Sequence, residues 1–430
     1  MSRLADEVRK TFSSMHVSRN FRLFFVGQLI SVTGTWVNWT AGAVLVLRLT
    51  DSGIALGIEA ALLFLPVLLF GVYAGSLADR FDKRRILVWS NAGYAVLAAI
   101  QFALVATDVV EIWMVFVIAF LTGLILAIEP PTRQSFYVEL VGEEHITNAV
   151  SLNSAVFTGT RVLGGAIAGT MIDTFGLWSP FLLDAVSYVG VIVALLAMRI
   201  SELHPQRKAE HEPGLVRAGL RYVWSSHALR VPLVVMALVY LFTFNFSVLI
   251  PLQAHRTYEG SGMELGWLYA ALGLGAFLGA IAMANRQTQP TLRRLAGFSV
   301  AFGVFLAVAG WAPTFALGLI AMVPVGYASM LFAITANSTL QRFTRADMRG
   351  RVMALYTTIF LGSSAIGGPI AGWVAEVWGA PEALAASGGV AVAAGVIALR
   401  ARGAATATVA DQMGAASGEA ATEDTAARSA

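Results

Sequence analysis

Residues 149–169 read A-V-S-L-N-S-A-V-F-T-G-T-R-V-L-G-G-A-I-A-G, and residues 353–372 read M-A-L-Y-T-T-I-F-L-G-S-S-A-I-G-G-P-I-A-G. Laid one on the other with Val150 on Met353 and Leu152 on Leu355, these stretches decide the fold. Adding 203 to Gly123, Gly159, Gly164, Gly165, Gly169 and Gly176 lands on Gly326, Gly362, Gly367, Gly368, Gly372 and Gly379 without a gap. Glycine makes up 41 of 430 residues, so six coincidences at one offset point to a duplication. Both copies lie in apolar segments of membrane length. A duplicated half inside a membrane protein is the mark of a carrier whose halves rock about a central site.

Composition sets the solvent. Mean hydropathy is +0.70, with 57% apolar and 13% charged residues, against roughly 25% charged in a soluble domain. Apolar runs of about 20 residues, enough to cross a bilayer, recur from Phe21 to Arg400 and divide into twelve helices. Six precede and six follow a polar stretch at 200–230. Cysteine is absent, which excludes disulfides, thiolate metal sites and cysteine nucleophiles. The apolar run after Arg22 is too long for a signal-peptide core and lacks a cleavage site. The last stretch, rich in Ala, Gly, Thr and Glu, cannot bury a core.

Charge placement tests the helix count independently. With the N-terminus in the cytoplasm, 26 of the 29 Lys and Arg fall on the cytoplasmic side, the positive-inside bias. That result requires an even number of crossings. The net charge of +3 therefore reports topology and not nucleic-acid binding. Trp113, Trp178, Trp267, Trp311, Trp373 and Trp378 sit near expected outer helix ends, where an aromatic belt belongs. Trp36 and Trp39 lie inside the first helix, facing either lipid or a pathway.

The loop after the second helix reads G-S-L-A-D-R-F-D-K-R-R, from Gly75 to Arg85. Gly71 and Gly75 form a G-x-x-x-G face for close helix approach, and Asp79 can meet the positive N-terminal end of a neighbouring helix. This loop resembles the signature of the major facilitator superfamily. Asp82, where the general pattern has Gly, is similar to the exporter branch that includes enterobactin-type siderophore and macrolide exporters. A second block, from A-I-E-P-P-T-R-Q at Ala127 through L-N-S to R-V-L-G-G-A-I-A-G, resembles the same branch. Superfamily antiporters often show Gly-Pro where this chain has Gly164-Gly165, so that motif does not give a direction of transport. The resemblance covers about residues 20–400. It implies that Gly75, Asp79, Arg80, Arg84 and Arg85 form a gate latch.

Polar residues inside the helices are the candidates for a pathway. Gln28, Ser31, Thr35, Asn38 and Gly42 share one face of helix one, and Thr147, Ser151, Ser154, Thr158, Arg161 and Gly165 share one face of helix five. Such stripes serve either a solute or helix packing. The pathway set is Gln28, Thr35, Asn38, Trp39, Ser154, Thr158, Asn245 and Asn337. A charge at the centre of a span costs on the order of 3 kcal/mol, so Glu59, Glu129, Arg161 and Asp184 each require a reason. All four belong to the first half; Arg161 overlays Ser364, and Glu129 overlays Phe332. Every His lies outside the spans, so a proton relay here uses carboxylates. Glu129 can instead pair with Arg133 four residues on, while Asp184 and Glu59 lie in outer thirds, within reach of water.

Together these readings predict an all-α membrane protein of the major facilitator fold, with twelve transmembrane helices in two pseudo-symmetric six-helix bundles at 21–199 and 231–400. A cytoplasmic segment (1–20) precedes them, a cytoplasmic linker (200–230) joins them and a disordered tail (401–430) follows. The resemblance implies a secondary transporter of the bacterial cytoplasmic membrane, with both termini cytoplasmic. It would export a small amphipathic solute, a siderophore or drug, in exchange for protons by alternating access. Uptake, or lipid or anion transport on the same scaffold, is the alternative; a non-transporting sensor is a third. Its partners are then a small molecule, protons and the lipid bilayer, with no cofactor, metal or nucleic acid, and the chain works as a monomer. No metal-ligand cluster, phosphate loop or Ser-His-Asp set suggests an enzyme. In intact cells a single Cys at Asp51 or Glu111 should react with an impermeant thiol reagent, and one at Gln206 should not. The opposite labelling pattern inverts the topology.

Overall fold

The computed structural model describes residues 13–204, 215–285, 290–345 and 348–400, without the side chains of 72–80 and 158 among others. The expected tail at 401–430, most of the 1–20 segment and part of the 200–230 linker therefore lie outside the described residues. Among those described, eleven helices are long and apolar enough to cross a membrane. One of them, Ile112–Phe175, runs for 64 residues, about 96 Å at 1.5 Å per residue. That is some three times the hydrocarbon thickness, about 30 Å. Gly142 breaks it, with φ 72° and ψ 172°, a backbone conformation that glycine adopts without strain. The run is thus two limbs, each of membrane length, which brings the spans among the described residues to about twelve.

The spans are α1 (Arg19–Thr50), α2 (Gly53–Arg80), α3 (Lys83–Ala106), α4 (112–141), α5 (143–175) and α6 (Trp178–Leu196) in the first half. The second holds α7 (227–257), α8 (Gly262–Asn285), α9 (Leu292–Gly310), α10 (Phe315–Phe343), α11 (Arg349–Trp378) and α12 (Ala380–Arg400). Between them, Leu215–Ser225 in the expected linker forms a helix. Helix starts follow local capping chemistry. Ser18, Ser52, Asp82, Thr291 and Thr314 each accept a hydrogen bond from a first-turn N–H, satisfying donors that no intrahelical carbonyl reaches. α7 is interrupted at Phe244 and Asn245, and Asn245 Nδ2 donates to the Leu241 carbonyl at 2.7 Å. Asn245 was a pathway candidate; here it satisfies a backbone carbonyl beside the break.

Within the halves, α1 packs on α6, α3 on α6, α8 on α10, and α9 on α12. The halves meet where α2 crosses α11 and α5 crosses α8. Both crossings are made of the repeated glycines. A Cβ on Gly57 would stand 2.6 Å from the Gly368 carbonyl oxygen, and one on Gly165 would stand 2.8 Å from that of Gly266. Gly53 faces Gly372 and Gly169 faces Gly262 in the same way. In lipid, helices gain little by burying apolar surface against one another, so close backbone approach supplies the contact. Gly71, expected to offer such a face, meets among the described residues only Val67 of its own helix, and its expected partner Gly75 lies outside them. The close-approach glycines of α2 are at its other end, where α11 lies against it.

These crossings lie toward the end of the bundle opposite the basic loops at Lys83–Arg85 and Arg349–Arg351. Substituting Gly57 or Gly266 by Leu should wedge the halves apart there. Because the chain has no cysteine, a single Cys at Thr35 reports the opening. Its labelling from the non-basic side should rise by about tenfold, the effect of moving a two-state equilibrium by about 1.4 kcal/mol. Unchanged labelling in both variants rules out these crossings as the closure.

Candidate functional site

A cavity of about 400 Å3 opens inside the first half. Its walls come from α1, α2, α3, α4, α5 and α6, and α11 of the second half contributes Thr357, Phe360 and Leu361. Of the pathway candidates, Gln28, Thr35, Asn38 and Trp39 line it, as do Glu129 and Asp184. The stripe on α1 is therefore a cavity wall. Trp36 and Trp39 pack edge to face with centroids 5.0 Å apart and both line the space, so they face the cavity and not lipid alone. Tyr94 and Tyr188 stack with centroids 5.3 Å apart on another wall.

The two acids on this wall differ in their company. Glu129 is 7% exposed, and its Oε1 lies 3.2 Å from Arg133 Nε. Arg133 Nη1 also donates to Gln28 Oε1 at 2.9 Å, so pair and amide form one network between α4 and α1. The pairing expected from the four-residue spacing is thus present. Asp184 is 3% exposed and has no ion-pair partner among the described residues. Its Oδ2 accepts from Asn38 Nδ2 at 2.8 Å, while Oδ1 has no hydrogen-bond partner. The Ser187 and Tyr188 hydroxyls stand beside the same carboxyl; Ser187 Oγ also donates to the Asp184 carbonyl at 2.7 Å, and Tyr188 Oη lies 3.2 Å from Thr35 Oγ1.

Arg161 lies outside this wall. Its guanidinium carbon stands 5.4 Å from the centroid of the Trp36 ring, a cation–π contact, and its Nε is buried without a partner. It meets neither Glu129 nor Asp184 in this state. Glu59 lies against Gly42 of α1, and Tyr269 of α8 stands within electrostatic reach of both Arg161 and Glu59. The four ionisable candidates therefore separate into two groups, one in the cavity wall and one at the junction of the halves.

The remaining candidates serve other ends. Ser154 Oγ donates to the Val150 carbonyl at 3.0 Å, a bond within its own helix. Asn337 Oδ1 accepts from Gln341 Nε2 at 2.5 Å. Ser154, Asn245 and Asn337 are not in the cavity lining. Thr158, like Gly75, Asp79 and Arg80 of the gate motif, has its side chain outside the described residues. Arg84 caps the end of α6, donating to the carbonyls of Leu195 at 2.7 Å and Leu196 at 3.2 Å, where a cation meets the negative helix end. Lys83 pairs with Glu139 at 2.6 Å. Asp82 Oδ1 accepts from Arg85 N at 2.9 Å, which starts α3.

The structure adds charged contacts at the non-basic end that the motifs did not single out. Glu376, at the end of α11, accepts from Gly53 N at 2.7 Å and pairs with Arg256 Nη2 at 3.0 Å. Arg256 also donates to the Asp51 carbonyl, and His255 Nε2 lies 3.3 Å from Asp51 Oδ1. Asp173, at the end of α5, lies 3.0 Å from Ser261 Oγ, and Ser261 and Glu264 cap the start of α8. Asp173 and Glu376 are 203 residues apart, and Ser52-Gly53 and Ser261-Gly262 are 209 apart. Each half thus sends an acid from its fifth helix to the N-terminal end of the other half's second, where the helix dipole favours a negative charge. The signal was available: the second offset also carries Gly57 onto Gly266.

Two helical bundles joined by paired crossings, with a largely apolar cavity that holds a few buried polar and charged groups, form the architecture of a membrane transporter. Comparison with known proteins agrees. A family described as "Transmembrane secretion effector" matches residues 11–420, and the chain belongs to this family of the major facilitator superfamily. It is 27% identical over 367 residues to the multidrug efflux pump Tap of Mycolicibacterium fortuitum, covering 83% of this chain and 89% of that one. It is 25% identical over 385 residues to the enterobactin exporter EntS of Escherichia coli O1:K1, covering 86% and 88%. It is 23% identical over 265 residues to the staphyloferrin A transporter of Staphylococcus aureus, covering 61% of this chain and 66% of that protein. The nucleoside transporter NupG superposes with a TM-score of 0.73 at 11% identity, over 89% of this chain and 99% of that one. That likeness is one of fold.

The Glu129–Arg133 network carries a stability prediction. Glu129→Ala strands a buried guanidinium and should lower stability by about 3 kcal/mol, read as an earlier thermal unfolding midpoint in detergent. Arg133→Met with Glu129→Leu should recover most of that loss. A Glu129→Ala midpoint equal to the parent's shows that the pair is dispensable.

Proposed function

We propose that this protein is a proton-coupled exporter of a small amphipathic solute, working by alternating access across a bacterial cytoplasmic membrane. The observation that supports this best is a cavity with the unpaired Asp184 carboxyl in its wall, in a bundle held shut at its non-basic end. The positive-inside bias puts the basic loops in the cytoplasm, so the shut end faces outward and this state is the one that loads from inside. Arg256, Asp51 and Glu376 then close an external gate that must part for release. The exporters among the relatives support the outward direction. The chain is proposed to work as a monomer.

Coupling requires a group that takes up a proton in one state and gives it back in the other. Asp184 and Glu59 have no ion-pair partner among the described residues and take this part; Glu129 is held by Arg133. Arg161, at the junction beside Tyr269, is placed to respond when the halves move. Uptake by the same scaffold would be favoured only if the solute accumulated on the cytoplasmic side.

Everted vesicles given an acid interior decide the matter. They should accumulate members of a panel of cationic drugs and siderophores, and a protonophore should abolish the accumulation. Glu59→Gln should keep downhill exchange while losing the pH-driven part. Accumulation that ignores the protonophore removes proton coupling, and absence of flux for the whole panel removes this substrate class.

A further inference from the structure

We propose that the cavity takes an organic cation, with its positive group at the Asp184 carboxylate and its apolar body among Tyr94, Tyr188, Trp36 and Trp39. This inference rests on the export reading and narrows it, because the relatives include carriers named for siderophores and for drugs.

The argument starts from the charge of the cavity wall. Three ionisable side chains other than tyrosine line it: Glu129, Arg133 and Asp184. Glu129 and Arg133 neutralise each other at 3.2 Å, which leaves Asp184 to set the net charge presented to a solute. Its polar neighbours, Asn38 at 2.8 Å and the Ser187 and Tyr188 hydroxyls, are all neutral, and its Oδ1 is buried without a well-formed hydrogen bond among the described residues. A buried carboxylate with an empty acceptor carries a large desolvation penalty. A ligand that brings a cation to it removes that penalty, and a ligand that brings a second anion adds to it.

The rest of the wall fits the same ligand. Phe64, Phe157 and Phe360 line the space together with the two Trp and two Tyr. Aromatic faces attract a cation through their quadrupole as well as covering apolar surface. At about 400 Å3 the space suits a drug-sized molecule. Arg161 does not reverse the sign, because it lies beyond Trp36 and outside the lining. A cation and a proton would also compete for one carboxylate, which links loading of the solute to loss of the proton.

Tetraphenylphosphonium and tetraphenylborate have the same shape and opposite charge, so they isolate the electrostatic term. Equilibrium binding to the purified chain in detergent needs no gradient and no turnover, which separates this inference from the export reading. The parent should bind tetraphenylphosphonium about tenfold or more tighter than tetraphenylborate, the worth of one hydrogen bond or contact to a charged group. Asp184→Asn should lose that preference, and Asp184→Glu should keep most of it. Should Asp184→Asn fail to fold, a single Cys at Thr122, in the cavity wall, replaces it. Tetraphenylphosphonium should protect that Cys from a thiol reagent and tetraphenylborate should not. Equal binding of the two ions by the parent, a preference for the borate, a preference retained in Asp184→Asn, or protection by both ions or neither overturns the proposal. Cation binding without proton-driven flux would leave the site standing and refute the export reading.

Discussion

Backbone against backbone at the crossings of α2 with α11 and of α5 with α8 is the contact on which the arrangement depends. Lipid tails are as apolar as leucine, so two bundles in a membrane gain little by burying apolar side chains against each other. They gain by close packing, and only glycine lets carbonyls and Cα atoms approach as Gly57 and Gly368 do. The crossings are related by the duplication: the repeated glycines of each half's fifth helix lie on those of the other half's second. Interfaces of this kind are bistable because they hold many small contacts and few strong ones.

The charged contacts above the crossings fit that economy. Asp173 and Glu376 are partly exposed acids set against helix starts, and Asp51 is 71% exposed in its contacts with His255 and Arg256. Pairs in such surroundings contribute about 1 kcal/mol or less each. Several weak polar contacts over a glycine seam can part at small cost. A deeply buried ion pair in their place would be too costly to break in each cycle.

Below these contacts, the two halves no longer match. Glu129 lines a polar cavity in the first half, and its repeat partner Phe332 is fully buried among Tyr240 and Phe244 in the second. One half has kept a hollow with ionisable walls; the other has filled the corresponding region with aromatic rings. Phe360 joins the two environments, packing on Tyr240 while reaching the cavity. Phe360 thereby ties the cavity wall to the core of the second half.

Helix number, the duplication, the Glu129–Arg133 pair and the α1 wall were legible because each depends on spacing along a single helix or on one offset. Asn245 and Ser154, expected in the pathway, lie outside the cavity lining of this state. A polar side chain in a helix reads the same whether it faces a solute or returns to its own backbone, and only the position of neighbouring helices separates the two. Asp184 shows the limit most clearly. That it lies inside a span is written in the chain, but that Asn38 occupies one oxygen and nothing the other is a property of α1 and α6 brought together. The local code of a membrane helix determines where it crosses and which residues share a face. Which faces meet, which charges find partners and which remain open to a ligand was decided only in three dimensions, because those energies belong to pairs of residues more than a hundred positions apart.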